Sequence, residues 1–234
     1  MILGYPLDMM RFVTFLVALF VASAAGAATS APKCGKGVHI IVARESEAAP
    51  GPGLIGTVAE RVIKLIPGSD MESVDYPALL DPYIISETAG IANMTKLITA
   101  FANKCPKTKM VLMGYSQGAH VTSDILCGAS EKGFPETKPL SRNFAKNIAA
   151  VVLMGDPSFT ANQTFNVGTS HGSGIFPRLN PGGCDCFASK IMSICDAGDM
   201  FCEAGSTSLE VHLSYVAVWG KEAAEFVVQK YRQH

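Results

Sequence analysis

Gly114-Tyr115-Ser116-Gln117-Gly118 is the stretch of this chain best suited to covalent chemistry. It follows the apolar run Met110 to Met113 and opens a helical pattern from Gln117 to Leu126, so a serine stands on a sharp turn between strand and helix. The flanking glycines allow a strained backbone that lifts the Ser116 hydroxyl above a sheet, at the positive end of the following helix. A hydroxyl is a weak nucleophile at neutral pH. It needs a base, and the base needs a carboxylate to orient it.

Four histidines follow Ser116. His120 lies one helical turn beyond the serine and cannot swing back, His171 sits in a Gly/Ser loop without apolar support, and His234 is the last residue. His212 follows Leu209 and Val211 and just precedes an expected final helix, which can anchor it. With the order serine, acid, histidine, the acid falls between 116 and 212 at a strand end. Asp199 meets that condition: it follows the apolar run Ile191 to Ile194 and lies between Cys195 and Cys202, where a disulfide would hold a carboxylate in place. Asp196 of the same loop reads as a capping or solvated residue, and Asp156 of Met154-Gly155-Asp156-Pro157 as a structural turn residue. The candidate triad is therefore Ser116, Asp199 and His212. Acyl transfer also requires donors for the oxyanion, expected from the backbone N–H of Gln117 and from the loop Ala43 to Gly53, where Ser46 offers an N–H and a hydroxyl. A solvated loop without that role is the alternative for Ser46.

Positioning these groups takes a sheet. Val38 to Ala43, Met110 to Met113, Ile148 to Met154 and Ile191 to Ile194 are apolar on both faces, as parallel strands covered on two sides are, and a weaker strand is expected over Ser73 to Tyr76. Helical periodicity covers Leu54 to Ile66, Ile91 to Phe101, Gln117 to Leu126 and Val216 to Tyr231. The expected fold is α/β, a three-layer α/β/α sandwich around a central, mostly parallel five-stranded sheet. Such sheets carry their sites at the carboxyl ends of the strands.

Composition narrows the function classes. The 234 residues hold 19 basic and 20 acidic side chains, a net charge of −1. No basic excess exists for a nucleic acid backbone or an anionic membrane surface, so neither is an expected partner. Arg11 followed by the apolar run Phe12 to Ala22 and the small residues Ser23 to Ala28 reads as a secretory signal peptide, with an uncleaved anchor as the alternative. The expected division is a signal over 1–27 and one exported domain over 28–234, with a monomer as the default. Export would favour pairing among the seven cysteines, which are odd in number, with Cys184-Asp185-Cys186 as the place of ambiguity. Cysteine spacing lacks the paired pattern of a zinc site, and no metal or organic cofactor is expected. Asn93-Met94-Thr95 and Asn162-Gln163-Thr164 are glycosylation sequons.

Taken together, the Ala43-Arg44-x-Ser46 loop, the 114–118 turn, the Cys195-x-x-Gly198-Asp199-x-x-Cys202 loop and His212 resemble the secreted fungal cutinase and acetylxylan esterase family. The resemblance covers nearly all of the chain after the signal. It implies an α/β-hydrolase sandwich without a large lid, a triad of Ser116, Asp199 and His212, an oxyanion hole from Ser46 and Gln117, and bridges Cys34–Cys105 and Cys195–Cys202. The acetylxylan esterase branch suggests a third bridge, from Cys127 to Cys186 or Cys184. Met154-Gly155-Asp156-Pro157, Asn166-Val167-Gly168-Thr169 and Cys127 look like that branch, although a cysteine pair common there is missing between 70 and 90. The apolar rim of Met200, Phe201, Leu209, Val211 and Leu213 looks like the cutinases, unless these side chains face the core. The expectation is a secreted serine carboxylester hydrolase acting on plant cell-wall or surface esters, with acetylxylan esterase as the alternative. A non-catalytic surface or effector protein of the same fold is a further, weaker one.

Overall fold

The computed structural model describes residues 34–233. The expected signal segment, 1–27, lies outside the described residues. Six parallel strands form one sheet: β1 (Val38–Ala43), β2 (Asp70–Ser73), β3 (Lys109–Tyr115), β4 (Ile148–Met154), β5 (Asn166–Val167) and β6 (Ile191–Ile194). Their order is β2-β1-β3-β4-β6-β5, so the strand bearing the candidate nucleophile runs near the middle. Helices α1 (Gly56–Leu65), α2 (Tyr83–Lys104), α3 (Gln117–Cys127) and α4 (Leu209–Arg232) cover the two faces.

The pleat sorts the core. Along β3, Met110 and Leu112 pack with Ile98, Phe101, Val121 and Ile125 of α2 and α3, whereas Val111, Met113 and Tyr115 pack with Val58, Val62, Tyr215 and Val227 of α1 and α4. Both faces of β1, β3 and β4 are dry, which is why these strands read as uninterrupted apolar runs.

Several boundaries differ from the sequence reading. The sheet has six strands rather than five, because the two-residue β5 pairs with β6 without any apolar run of its own. β2 occupies Asp70–Ser73, not Ser73 to Tyr76: it is a half-buried edge strand of mainly polar residues, and Val74 only extends it through one bond to the Val42 carbonyl. α2 begins at Tyr83, eight residues before the expected Ile91, since exposed Ile84 and Ile85 obscure its amphipathic pattern. α4 begins at Leu209 rather than Val216, so His212 lies in its first turn instead of ahead of it.

Three disulfides join Cys34 to Cys105, Cys127 to Cys184, and Cys195 to Cys202. Cys127 therefore pairs with Cys184 and not with Cys186. Cys184 ends a short 3-10 turn packed on α3 and is buried, while Cys186 remains partly exposed and free. No helix among the described residues is long and apolar enough to cross a membrane.

Candidate active site

Ser116 sits between β3 and α3 with φ 53° and ψ −121°, a left-handed conformation unusual for a residue with a side chain. Such strain costs about 1–3 kcal/mol and persists only where the surroundings enforce it. Here they do: the Ser116 N–H is held by the Met154 carbonyl at 2.8 Å, and its own carbonyl starts α3 by accepting from Ala119 and His120. Glycine is required on either side. A Cβ on Gly114 would strike the Gly118 carbonyl, and one on Gly118 would strike the backbone of Ala43 and Arg44. The same close approach brings the loop after β1 against the turn.

His212 and Asp199 come together on the neighbouring edge. The Nδ1–H of His212 donates to Asp199 Oδ2 at 2.8 Å. Ser208 caps α4 by accepting from the Val211 N–H, which fixes the first turn that carries His212. Gly155, at φ 61°, leaves the room that the imidazole occupies. The Tyr115 hydroxyl donates to the His212 carbonyl, and the Phe201 ring stands 4.5 Å from the imidazole.

Asp199 is fully buried yet accepts four hydrogen bonds, from His212, Tyr215 Oη (2.8 Å), Phe201 N (2.7 Å) and Cys202 N (3.1 Å). Burial alone would push its carboxyl up. The donors, His212 first, outweigh that and hold it below the ordinary carboxylate value. Around it, Glu203 ties the loop by accepting from Gly198 N, Ser170 Oγ and Ser206 Oγ, and the Gly198 N–H leads the effects that bring its carboxyl down to about 2. Tyr215 and Glu203 escaped the sequence reading, because one is a helix residue of aromatic core type and the other an acid in a polar loop.

No hydrogen bond joins Ser116 Oγ to His212 among the described residues; in enzymes of this kind such bonds often tighten only once substrate is bound. The other histidines and carboxylates stand elsewhere. His171 is exposed; His120 is buried against α2, and that burial lowers its pKa to about 4. Asp156 accepts from Ser123 and Ser158 behind α3, and Asp196 accepts from Thr169 and the Trp219 indole.

Gln117, as the first residue of α3, has an N–H with no intrahelical partner. Its side chain is clamped by Ser86 Oγ and the Leu79 carbonyl, while Glu47 grips the same segment through Ala78 and Leu80. Ser46 Oγ is buried and has no hydrogen-bond partner, an arrangement that costs free energy unless a ligand accepts from it.

The expected rim lies outside both core clusters: Met200, Phe201 and Val211 are half-buried, and Leu209 and Leu213 are about half exposed. The structure adds a second apolar side that sequence reasoning missed. Leu79, Leu80, Ile84 and Ile85 are exposed on the segment holding Gln117, and Ile175 is exposed on the segment bonded to the Phe201 carbonyl. Tyr83 and Phe176, 5.4 Å apart, connect the two sides. The signal was present in Leu79-Leu80-Asp81-Pro82, an apolar pair held in a proline turn where a solvated loop would be polar.

A parallel α/β sheet with a strained serine turn between strand and helix and a buried histidine–carboxylate pair has the architecture of the α/β-hydrolase class of ester hydrolases. The cutinase family model matches residues 34–231. Over 204 residues the chain is 37% identical to acetylxylan esterase 2 of Talaromyces purpureogenus, covering 82% of this chain and 86% of that protein. It is 34% identical to cutinase 11 of Verticillium dahliae over 204 residues, covering 82% and 68%. A solved acetylxylan esterase matches with a TM-score of 0.79 at 34% identity, over 85% of this chain and 100% of that one. The chain belongs to the cutinase family and is a serine carboxylester hydrolase.

Proposed function

We propose that Ser116 attacks the ester carbonyl while His212 takes its proton, with Asp199 holding the imidazole in the required tautomer. The Gln117 N–H and the Ser46 hydroxyl stabilise the oxyanion, and water then releases the acyl group by the same route. The buried, unpartnered Ser46 hydroxyl supports that role.

The substrate class is a hydrophobic ester such as a cutin-like plant polyester. The observation carrying this is the pair of exposed apolar sides, with Leu80 at 52% and Ile85 at 67% exposure on one and Leu209 and Leu213 on the other. Exposed leucines and isoleucines on both sides of a serine site suit an acyl chain, each buried methylene contributing about 0.8 kcal/mol. Acetylxylan is the second reading, favoured by the 37% identity to acetylxylan esterase 2. Secretion as a monomer, directed by the segment 1–27, completes the proposal, and the three disulfides agree with an oxidising compartment.

Hydrolysis of a chromogenic series from acetate to octanoate, with Ser116→Ala as control, tests this. A serine-dependent rate that holds or rises at butyrate and beyond is expected. A rate confined to acetate would move the substrate to acetylated carbohydrate, and equal rates for both proteins would remove Ser116 from the mechanism.

A further inference from the structure

Behind the candidate site, on the side of α3 that faces α2, lies a cluster that the esterase chemistry does not use. Glu87 comes from α2, while His120 and Asp124 come from successive turns of α3. All three side chains are 0–1% exposed. Glu87 Oε1, His120 Nε2 and Asp124 Oδ2 have no hydrogen-bond partner, while Asp124 Oδ1 is paired with Arg178. One potential ligand atom from each of the three residues falls within 4.8 Å of the other two.

We propose that Glu87, His120 and Asp124 form a divalent transition-metal site of the zinc type, pinning α2 to α3 beneath the serine turn. Three features carry the assignment. First, His120 Nε2 and Asp124 Oδ2 are 3.4 Å apart, the edge of a tetrahedron with metal–ligand distances of about 2.0–2.1 Å. Second, the supporting groups are in place. Tyr83 Oη, one turn before Glu87, lies 3.1 Å from His120 Nδ1; with Nδ1 donating to it, the Nε2 lone pair is turned toward the two carboxylates. Arg178 holds the other Asp124 oxygen, Oδ1, at 2.5 Å, leaving Oδ2 for the metal. Third, the surrounding charge is in deficit. Asp124, Glu131 and Asp156 act on the single guanidinium of Arg178, so carboxylates outnumber cations there and a divalent cation offsets the excess. An imidazole with carboxylates in a dry pocket favours zinc over calcium or magnesium, which prefer oxygen ligands and retained water. The fourth ligand position is left unassigned. Because the ligands are carboxylates and a histidine, cysteine spacing says nothing about this site.

The test is metal analysis of the purified chain folded in zinc-supplemented medium and passed through chelator-free buffer. About one zinc per chain is expected, falling to background in both Glu87→Gln and His120→Gln. Esterase rates near the parent value report that the variants are folded, since neither residue belongs to the ester site. Should a variant fail to fold, the cobalt-loaded parent protein decides, because a tetrahedral site with one nitrogen gives strong visible d–d absorption. A zinc-free parent chain, a cobalt-treated parent chain without those bands, or zinc retained in both variants would overturn the proposal. The esterase reading would stand in each case, since it is tested by Ser116 alone.

Discussion

Two buried histidine–aspartate pairs lie on opposite faces of the sheet, and they differ in how their carboxylates are served. Asp199 accepts from His212, Tyr215, Phe201 N and Cys202 N, and its carboxyl is held low. Asp124, equally buried, meets His120 only at 3.4 Å and leans on Arg178, and burial raises its carboxyl above the ordinary value. The first pair is saturated with donors and stays ionised, which is what orienting a basic imidazole requires. The second is short of donors and long on negative charge, which suits a proton or a cation. Proximity of histidine to aspartate is thus no signature of a catalytic base; the number of donors around the carboxylate separates the two cases.

The sharpest way to break this comparison is to neutralise each aspartate. Asp199→Asn presents the wrong tautomer of His212 and should lower kcat by about 10⁴-fold in ester hydrolysis. Asp124→Asn should leave kcat within a few-fold while lowering stability by about 3 kcal/mol in denaturant titration, because Arg178 loses its nearest counter-charge. A large kcat loss in the second variant would erase the distinction.

Tyr215→Phe removes one of the four donors to Asp199 and should lower kcat by about tenfold, the value of one charge-assisted hydrogen bond of about 1.5 kcal/mol. A smaller effect is expected at the rim. Leu80→Ser with Ile85→Ser should reduce kcat/KM on octanoate by about fourfold for each acyl methylene left in water, with acetate unaffected.

Stability against pH should run in opposite directions on the two sides. Glu203, which ties the Asp199 loop, titrates near 2 when folded against 4.5 otherwise. Its stabilisation is present above pH 4.5 and is lost as the pH falls toward 2; Glu203→Gln should flatten that acid limb. Glu87 is pushed up to about 9, first by burial and then by Asp124. In the metal-free chain the unfolded state releases this proton first, so stability should decline as the pH rises from 4.5 to about 9, and Glu87→Gln should remove the decline. Thermal unfolding across the pH range reads both slopes.

What was legible in the sequence follows from how local each signal is. The strands β1, β3, β4 and β6 are dry on both faces and read as apolar runs, and the serine turn carries its glycines within five residues. Asp199 could be nominated because two cysteines bracket it. By contrast, β5 is two residues long, and the apolar side at Leu79 to Ile85 precedes the serine by some thirty residues, so only folding brings it to Gln117. Tyr215 is similar: three residues after His212 it looks like one more core aromatic, and its hydroxyl bond to Asp199 depends on the loop and α4 closing together. Cys184 and Cys186 are both plausible partners by spacing, and burial beside α3 decides between them.

In the proposed mechanism Ser116 is a nucleophile activated by His212, whose imidazole Asp199 orients. Labelling with an alkyl phosphonate ester, followed by intact mass and peptide mapping, tests it most directly. One adduct per chain on Ser116 is predicted, abolished in Ser116→Ala and formed far more slowly in His212→Asn and Asp199→Asn. An adduct on another residue, or labelling of Ser116 at the same rate in the His212 variant, would contradict the account.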